Sequence, residues 1–423
     1  MDRLGLNTGN KTGSDDVRPI PRISIQIFCE TDSVATKMQR FASDRRLSRT
    51  HVKSHMGGSR AAIEFYQSAP TPNVIIVESP LTGDALVDEL GMLANVCDAD
   101  TRVIVIGKAN DVDLYRRLIK FGVSEYIVDS FDTMDLIHTI GEMFASPDAE
   151  PLGRSIVFVG AKGGSGSSTI AQNTAWSISE LFKNEVIIAD FDLAGGTVGL
   201  NFNQDPAQGI AEALFSGEKL DEIYLDRILA KCTDHLNLLT APASLDRTYE
   251  LAREEVDRLV EVAQGSVPYF VADMPGHWAD WSSSLLATAD EVVITTTPDL
   301  TGLRNAKNMF DNLSQKRKND PKPHIVLNQI GRGKDTEIKL AAFEDALETK
   351  VALAIPFEPH LFGTAVNNGQ MIGESSAKSP IAAQFKTLAA VLTRRSEGVM
   401  AERKGKGMKL SFLNRLRGKK SAA

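Results

Sequence analysis

Residues Ile156 to Asn173, IVFVGAKGGSGSSTIAQN, constrain the fold of this chain more than any other stretch. The run Ile156-Val157-Phe158-Val159 is β-branched and aromatic, as a buried parallel strand requires, and Gly163, Gly164 and Gly166 let the following backbone curl with its N–H groups inward. A helix starting near Ser167 adds the positive end of its dipole. Strand, glycine turn and helix start together have the layout of a phosphate-binding loop. Such a loop ordinarily carries a lysine just before the Ser or Thr that holds magnesium, where its ammonium reaches the β- and γ-phosphates. Ser167 fills that slot here, Ser168 keeps the magnesium-ligand hydroxyl with Thr169 behind it, and the cation of the turn is Lys162, near its start.

This run, from Lys162 through Gly163, Gly164, Ser165, Gly166, Ser167 and Ser168 to Thr169, resembles the deviant P-loop of the MinD/ParA ATPases. The usual loop-opening glycine is Ala161, with Gly160 just before it. The resemblance implies ATP and Mg2+ as ligands, a homodimer, and an early lysine, Lys162, that reaches across the dimer to the partner's nucleotide. Loss of the second lysine implies weak or absent hydrolysis of ATP.

Downstream segments extend the pattern. EVIIADFD reads as a buried strand ending in Asp190-Phe191-Asp192, where carboxylates two apart on extended backbone point to one side. Asp192 matches the family acid that positions the attacking water. VPYFVADMPG is a second strand ending in Asp273, the hydrophobic strand plus acid that orders the magnesium water shell. Family members often continue D-x-P-x-G, whereas here Gly276 comes one place early and His277 and Trp278 follow. Asn328, ending the strand in PHIVLNQ, matches the family asparagine on the adenine edge, and residues 351–374, with Pro356 and an Asn367-Asn368-Gly369 turn, resemble the base-covering loop. The metal set implied is Ser168, Asp192 and Asp273, with Asp192 and Lys162 in the catalytic roles. The run 185–214 resembles the TadZ/CpaE branch, which helps place Tad (Flp-type) pilus machinery at the cell pole.

The first third reads differently. From Ile23 to about Ala145, apolar runs such as ISIQIF, NVIIV, RVIVIG and EYIV alternate with helical periodicity, which predicts βα units and a five-stranded parallel sheet. Order and spacing resemble a response-regulator receiver. The positions matching the receiver's working residues are Cys29 and Glu30, Glu78, Gly107 and Asp129, of which Glu30 alone keeps the required chemistry. A pseudo-receiver without a phosphoacceptor is expected, with Glu78 more readily a solvated strand-end residue than a mimic of the phosphorylated state.

The expected organisation is therefore α/β throughout: a disordered arm (1–20), the receiver-like parallel sheet (21–145), a Pro- and Gly-containing linker (146–153), a MinD/ParA-like parallel-sheet ATP-binding domain (154–396) and a basic tail (397–423). Cys29, Cys97 and Cys232 are far apart with no CxxC or His pairing, so neither a disulfide framework nor a zinc site is suggested, and a reducing cytoplasm fits best. The absence of any run near the ~18 apolar residues of a spanning helix argues against membrane insertion. Net charge is −8, yet residues 401–423 hold eight Lys and Arg against one Glu. Nucleic acid is thus an unlikely partner for the whole body, and the basic run Lys316-Arg317-Lys318, without interleaved aromatics, reads as a solvated loop. In the tail, Leu410, Phe412, Leu413 and Leu416 fall on one side of a two-turn helix, so that residues 408–417 offer peripheral membrane contact like the tail of MinD. The function implied is ATP-dependent organisation of pilus assembly at the pole with the secretion ATPase or other Tad components as partners. The alternatives are a membrane-cycling switch ATPase of another positioning system and a receiver-driven signalling adaptor.

Overall fold

The computed structural model describes residues 20, 23–144 and 152–395. The arm before Ile20, most of the linker and the tail beyond 395, including the membrane contact expected at 408–417, lie outside the described residues. The chain divides into two compact units near residue 150, with the short stretch Arg317–Asp320 grouped with the first. Both are α/β with parallel sheets, the class expected from the sequence.

The first unit contains β1 (Ser24–Cys29), β2 (His51–Met56), β3 (Val74–Glu78), β4 (Arg102–Gly107) and β5 (Glu125–Val128), in the order β2-β1-β3-β4-β5 and parallel throughout. β3 is buried along its whole length because helices cover both faces, which is why NVIIV is continuously apolar. Ile20, assigned to the arm by sequence, is buried in this unit's core. Glu78 corrects a second expectation. Far from solvated, it is 5% exposed, and its carboxylate accepts hydrogen bonds from the Glu30 and Thr31 N–H groups (2.7 and 2.9 Å) and the Thr31 hydroxyl (2.7 Å). A buried carboxylate needs such donors.

In the second unit the strands are β6 (Arg154–Gly160), β7 (Val186–Asp190), β8 (Ala230–Lys231), β9 (Leu236–Leu239), β10 (Tyr269–Asp273), β11 (Glu291–Thr296), β12 (His324–Ile330) and β13 (Leu353–Pro356). Their order is β13-β12-β11-β6-β10-β7-β9-β8, antiparallel only between β8 and β9. Alternation along β6 splits the core: Val157 and Val159 face one apolar cluster, Ile156 and Phe158 the other. Gly153, placed in the linker by sequence, is already packed, since a Cβ there would lie 1.8 Å from the Val267 carbonyl oxygen. In the basic run, Arg317 is buried rather than solvated. Among the described residues no helix is long and apolar enough to cross a membrane.

Candidate nucleotide site

Because β6, β7, β10, β11, β12 and β13 run parallel, their carboxyl ends share one edge of the sheet, and every expected site residue lies near the carboxyl end of one of these strands or on a connection leaving it. That edge is where open α/β sheets bind ligands. β6 ends at Gly160, the turn runs to Gly166 (φ 87°), and the helix Ser167–Phe182 begins at once. A side chain at Gly160 or Gly166 would force a neighbouring side chain to move. A Cβ at Gly160 would meet the Ser165 hydroxyl at 2.7 Å, and one at Gly166 the Asn328 amide at 2.5 Å.

Ser167 is 8% exposed, and its hydroxyl finds no hydrogen-bond partner among the described residues. Ser168 is half-buried and donates to Asp273 at the end of β10. Asp273 is buried beside Asp190, its register partner on β7, and Asp273 Oδ1 also finds no partner among the described residues. Burial first, and then the Asp190 charge, push the Asp273 carboxyl well above the usual carboxylate range, although the Ser168 hydroxyl works against this. Burial likewise raises Asp190 to about 6, opposed by hydrogen bonds from the Val198 and Asp192 N–H groups and assisted by the Asp192 charge.

Two buried, electrostatically strained carboxyls beside a helix N-terminus fit a divalent cation. No group of three or more His, Cys, Asp or Glu side chains able to hold a metal occurs among the described residues. Mg2+ keeps much of its water and takes one or two protein oxygens together with substrate phosphates. Ser168 and Asp273 are the expected metal residues that the fold brings together.

Asp192 is not placed as expected. β7 stops at Asp190, whose side chain accepts from the Asp192 N–H (3.2 Å) and folds the chain into a turn, so the two carboxylates do not line one side of a strand. Asp192 Oδ1 instead accepts from the Gly195 N–H at 3.0 Å.

Lys162 is held within its own chain. Its Nζ lies 2.5 Å from Asp299 Oδ2, and Asn305 fixes the adjacent Ala161 carbonyl at 2.9 Å. Partial burial disfavours the Asp299 charge, but Lys162, the Thr297 hydroxyl and the Gly302 N–H together hold its carboxyl down to about 2. A depressed carboxyl contributes stability fully above its unfolded value, near 3.9, and loses it as pH falls towards 2. The Lys162–Asp299 pair is therefore formed at neutral pH. Sequence reasoning passed over Asp299; its signal is Asp-x-x-Gly after a strand and a proline, the N-cap of the helix Leu300–Lys316. A cavity of about 270 Å3, lined by Gly160, Ala161, Trp278, Asn305 and Met309 among others, opens on this flank of the loop.

Asn328 is buried and donates to the Ser165 carbonyl at 2.9 Å, so it braces the loop itself. Pro356 is exposed at the end of β13. The segment expected to be a base-covering loop is largely helical after it (Pro359–Asn367), with Pro359 starting the helix and Gly369 (φ 62°) turning the chain beyond it.

The strand, glycine turn and helix, with Ser168 against a strand-end acid and the early lysine at the turn, decide the assignment. The second unit has the fold of the MinD/ParA P-loop ATPases. No family model matches the chain. The septum site-determining protein MinD of Synechocystis sp. is 25% identical over 237 residues, 56% of this chain and 84% of that protein. MinD of Pyrococcus horikoshii OT3, solved in complex with Mg-ADP, covers 58% of this chain and 98% of its own at 18% identity and a TM-score of 0.51, a likeness of fold. The crystal structure of a pilus assembly protein CpaE from Caulobacter crescentus CB15 is 39% identical over the N-terminal 30% of this chain and 98% of its own, at a TM-score of 0.30.

Proposed function

We propose that this chain binds MgATP in its MinD/ParA-type domain, dimerises around the nucleotide, and uses that dimer to organise Tad pilus assembly at the cell pole, with little or no turnover. The observation that carries the nucleotide reading is the cradle at Gly160–Ser168 with Asp273 buried, hydrogen-bonded by Ser168 and with its Oδ1 unpartnered among the described residues. Dimerisation is supported by Leu200, Leu245, Trp278 and Leu300, exposed large apolar side chains on four separate connections at the carboxyl edge, the edge that holds the cradle. Large apolar side chains exposed along that edge fit a protein partner there. The pilus assignment rests on the run 185–214 and on the 39% sequence identity of the first unit to CpaE. Residues 408–417 are proposed to hold the dimer at the inner face of the membrane, where two weak anchors gain from effective concentration.

Lys162 tests the dimer. To act in the partner's site it must leave Asp299, and nucleotide phosphates on the partner supply the competing charge. Lys162→Ala is expected to lower ATP binding and ATP-dependent dimerisation together, by at least about tenfold for loss of a charge-assisted hydrogen bond. Sedimentation of wild type and variant with and without ATP reads this, and an undiminished dimer in the variant contradicts it.

A further inference from the structure

Asn328 and Gln329 are consecutive residues, yet both reach the phosphate loop. Asn328 Nδ2 donates to the Ser165 carbonyl (2.9 Å) and Gln329 Nε2 to the Gly164 carbonyl (2.8 Å). In a regular strand neighbouring side chains point to opposite faces. Here the register of β12 on β13 shifts between Leu327 and Ile330, and Gln329 takes a left-handed φ of 59°, which side-chain-bearing residues seldom adopt. A bulge of this kind re-aims a side chain, and strained backbone persists where its surroundings hold it.

Those surroundings fix both amides without ambiguity. The Arg332 guanidinium, which can only donate, bonds Gln329 Oε1, so the Gln329 NH2 must face Gly164. The Gln329 N–H bonds Asn328 Oδ1 at 2.8 Å, so the Asn328 NH2 must face Ser165. Arg332 lies over the Phe357 ring at 5.4 Å, and Glu337 braces the intervening turn by accepting from the Gly331 and Gly333 N–H groups at 2.9 and 2.7 Å.

Gly164 has φ 74° and open space where a Cβ would be, so nothing in its own residue type fixes the peptide that follows it. A planar trans peptide carries its C=O and the next N–H on opposite sides. Holding the Gly164 and Ser165 carbonyls therefore fixes the N–H groups of Ser165 and Gly166 on the opposite side of each peptide, and that of Ser165 closes the turn on the Lys162 carbonyl at 3.3 Å.

We propose that Gln329 is a positioning residue of the phosphate cradle: its amide, oriented by Arg332, pins the Gly164 peptide and so holds the loop in its anion-binding form before nucleotide arrives. The proposal rests on the nucleotide reading above, in a domain whose cradle lacks the usual lysine and depends more heavily on backbone donors. Its test is calorimetry on the full chain with MgATP and with tripolyphosphate, a probe that has phosphates and no base, for wild type, Gln329→Ala and Gln329→Glu. The glutamate variant keeps the shape and the Arg332 contact but, when ionised, cannot donate. Both variants should bind MgATP and tripolyphosphate about tenfold more weakly, by a similar factor for the two probes, with unfolding temperatures without nucleotide close to wild type. Wild-type affinity in Gln329→Glu, or a loss confined to MgATP, which would make Gln329 a reader of the base, overturns the proposal. Failure of the wild type to bind MgATP is a different result, and overturns the nucleotide reading itself.

Discussion

Replacing Asp273 by Asn is expected to stabilise the protein without nucleotide and to abolish its use of magnesium. Asp273 is buried with one carboxylate oxygen unsatisfied among the described residues and with Asp190 alongside on β7. Asp273 and Asp190 both hold their protons to higher pH than free carboxyls. For a raised carboxyl, the folded state binds the proton more tightly than the unfolded state does. Stability is therefore lost as pH climbs from the unfolded value near 3.9 to the folded one, about 6 for Asp190. A neutral amide at 273 removes that penalty. Relief of one badly satisfied buried acceptor is worth about 1–2 kcal/mol, a rise of roughly 2–8 °C in Tm for a domain of this size. The same change removes the acid that would order the magnesium water shell, so Mg2+ should no longer tighten ATP binding. Scanning calorimetry from pH 5 to 8 and ATP titrations with Mg2+ or EDTA check both halves. In the wild type, magnesium-dependent affinity should rise with pH through about 6, because the cation displaces protons from this pair. A variant that loses stability and keeps its magnesium dependence would remove Asp273 from the site.

Ser167→Lys should tighten ATP binding about ten- to hundredfold, since a charge-assisted phosphate contact is worth roughly 1.5–3 kcal/mol and 1.4 kcal/mol is a decade. The substitution sacrifices little. The Ser167 hydroxyl has no hydrogen bond among the described residues to lose, and residue 167 opens the helix Ser167–Phe182, whose N-terminal end faces the cradle. Titration of wild type and variant under the same salt checks it. Equal affinities would mean that another cation, Lys162 foremost, already does the work of the missing lysine.

Sequence reading succeeds where one local pattern forces one geometry. The strand β6, the glycine turn and the helix at Ser167 follow from steric need, and a hydrophobic strand ending in an acid is enough to put Asp273 at the sheet edge. It fails where long-range burial decides. β2, HVKSHM, is an edge strand with His51, Lys53, Ser54 and Met56 exposed, so it carries no apolar alternation to mark it, and His55 is held there by stacking on Phe28 at 4.8 Å. Glu78 reads as a solvated carboxylate because the groups that enclose it, Thr31 and the Glu30 N–H, lie 47 and 48 positions away in the chain. Spacing by two suggests that Asp190 and Asp192 share one face of a strand, but the Asp190 side chain ends the strand first. Gln329 gives no signal at all, because a one-residue bulge in β12 leaves nothing in composition or period to read.

The central claim is that the second unit is an ATP-binding domain weakened by Ser167 and completed by a partner. Calorimetric titration of the full wild-type chain with MgATP tests it most directly, together with sedimentation of the same samples. Micromolar, magnesium-dependent binding that pulls monomers into dimers is the expected result. Nanomolar affinity in a strictly monomeric sample, or no binding with Mg2+ at neutral pH, would contradict it.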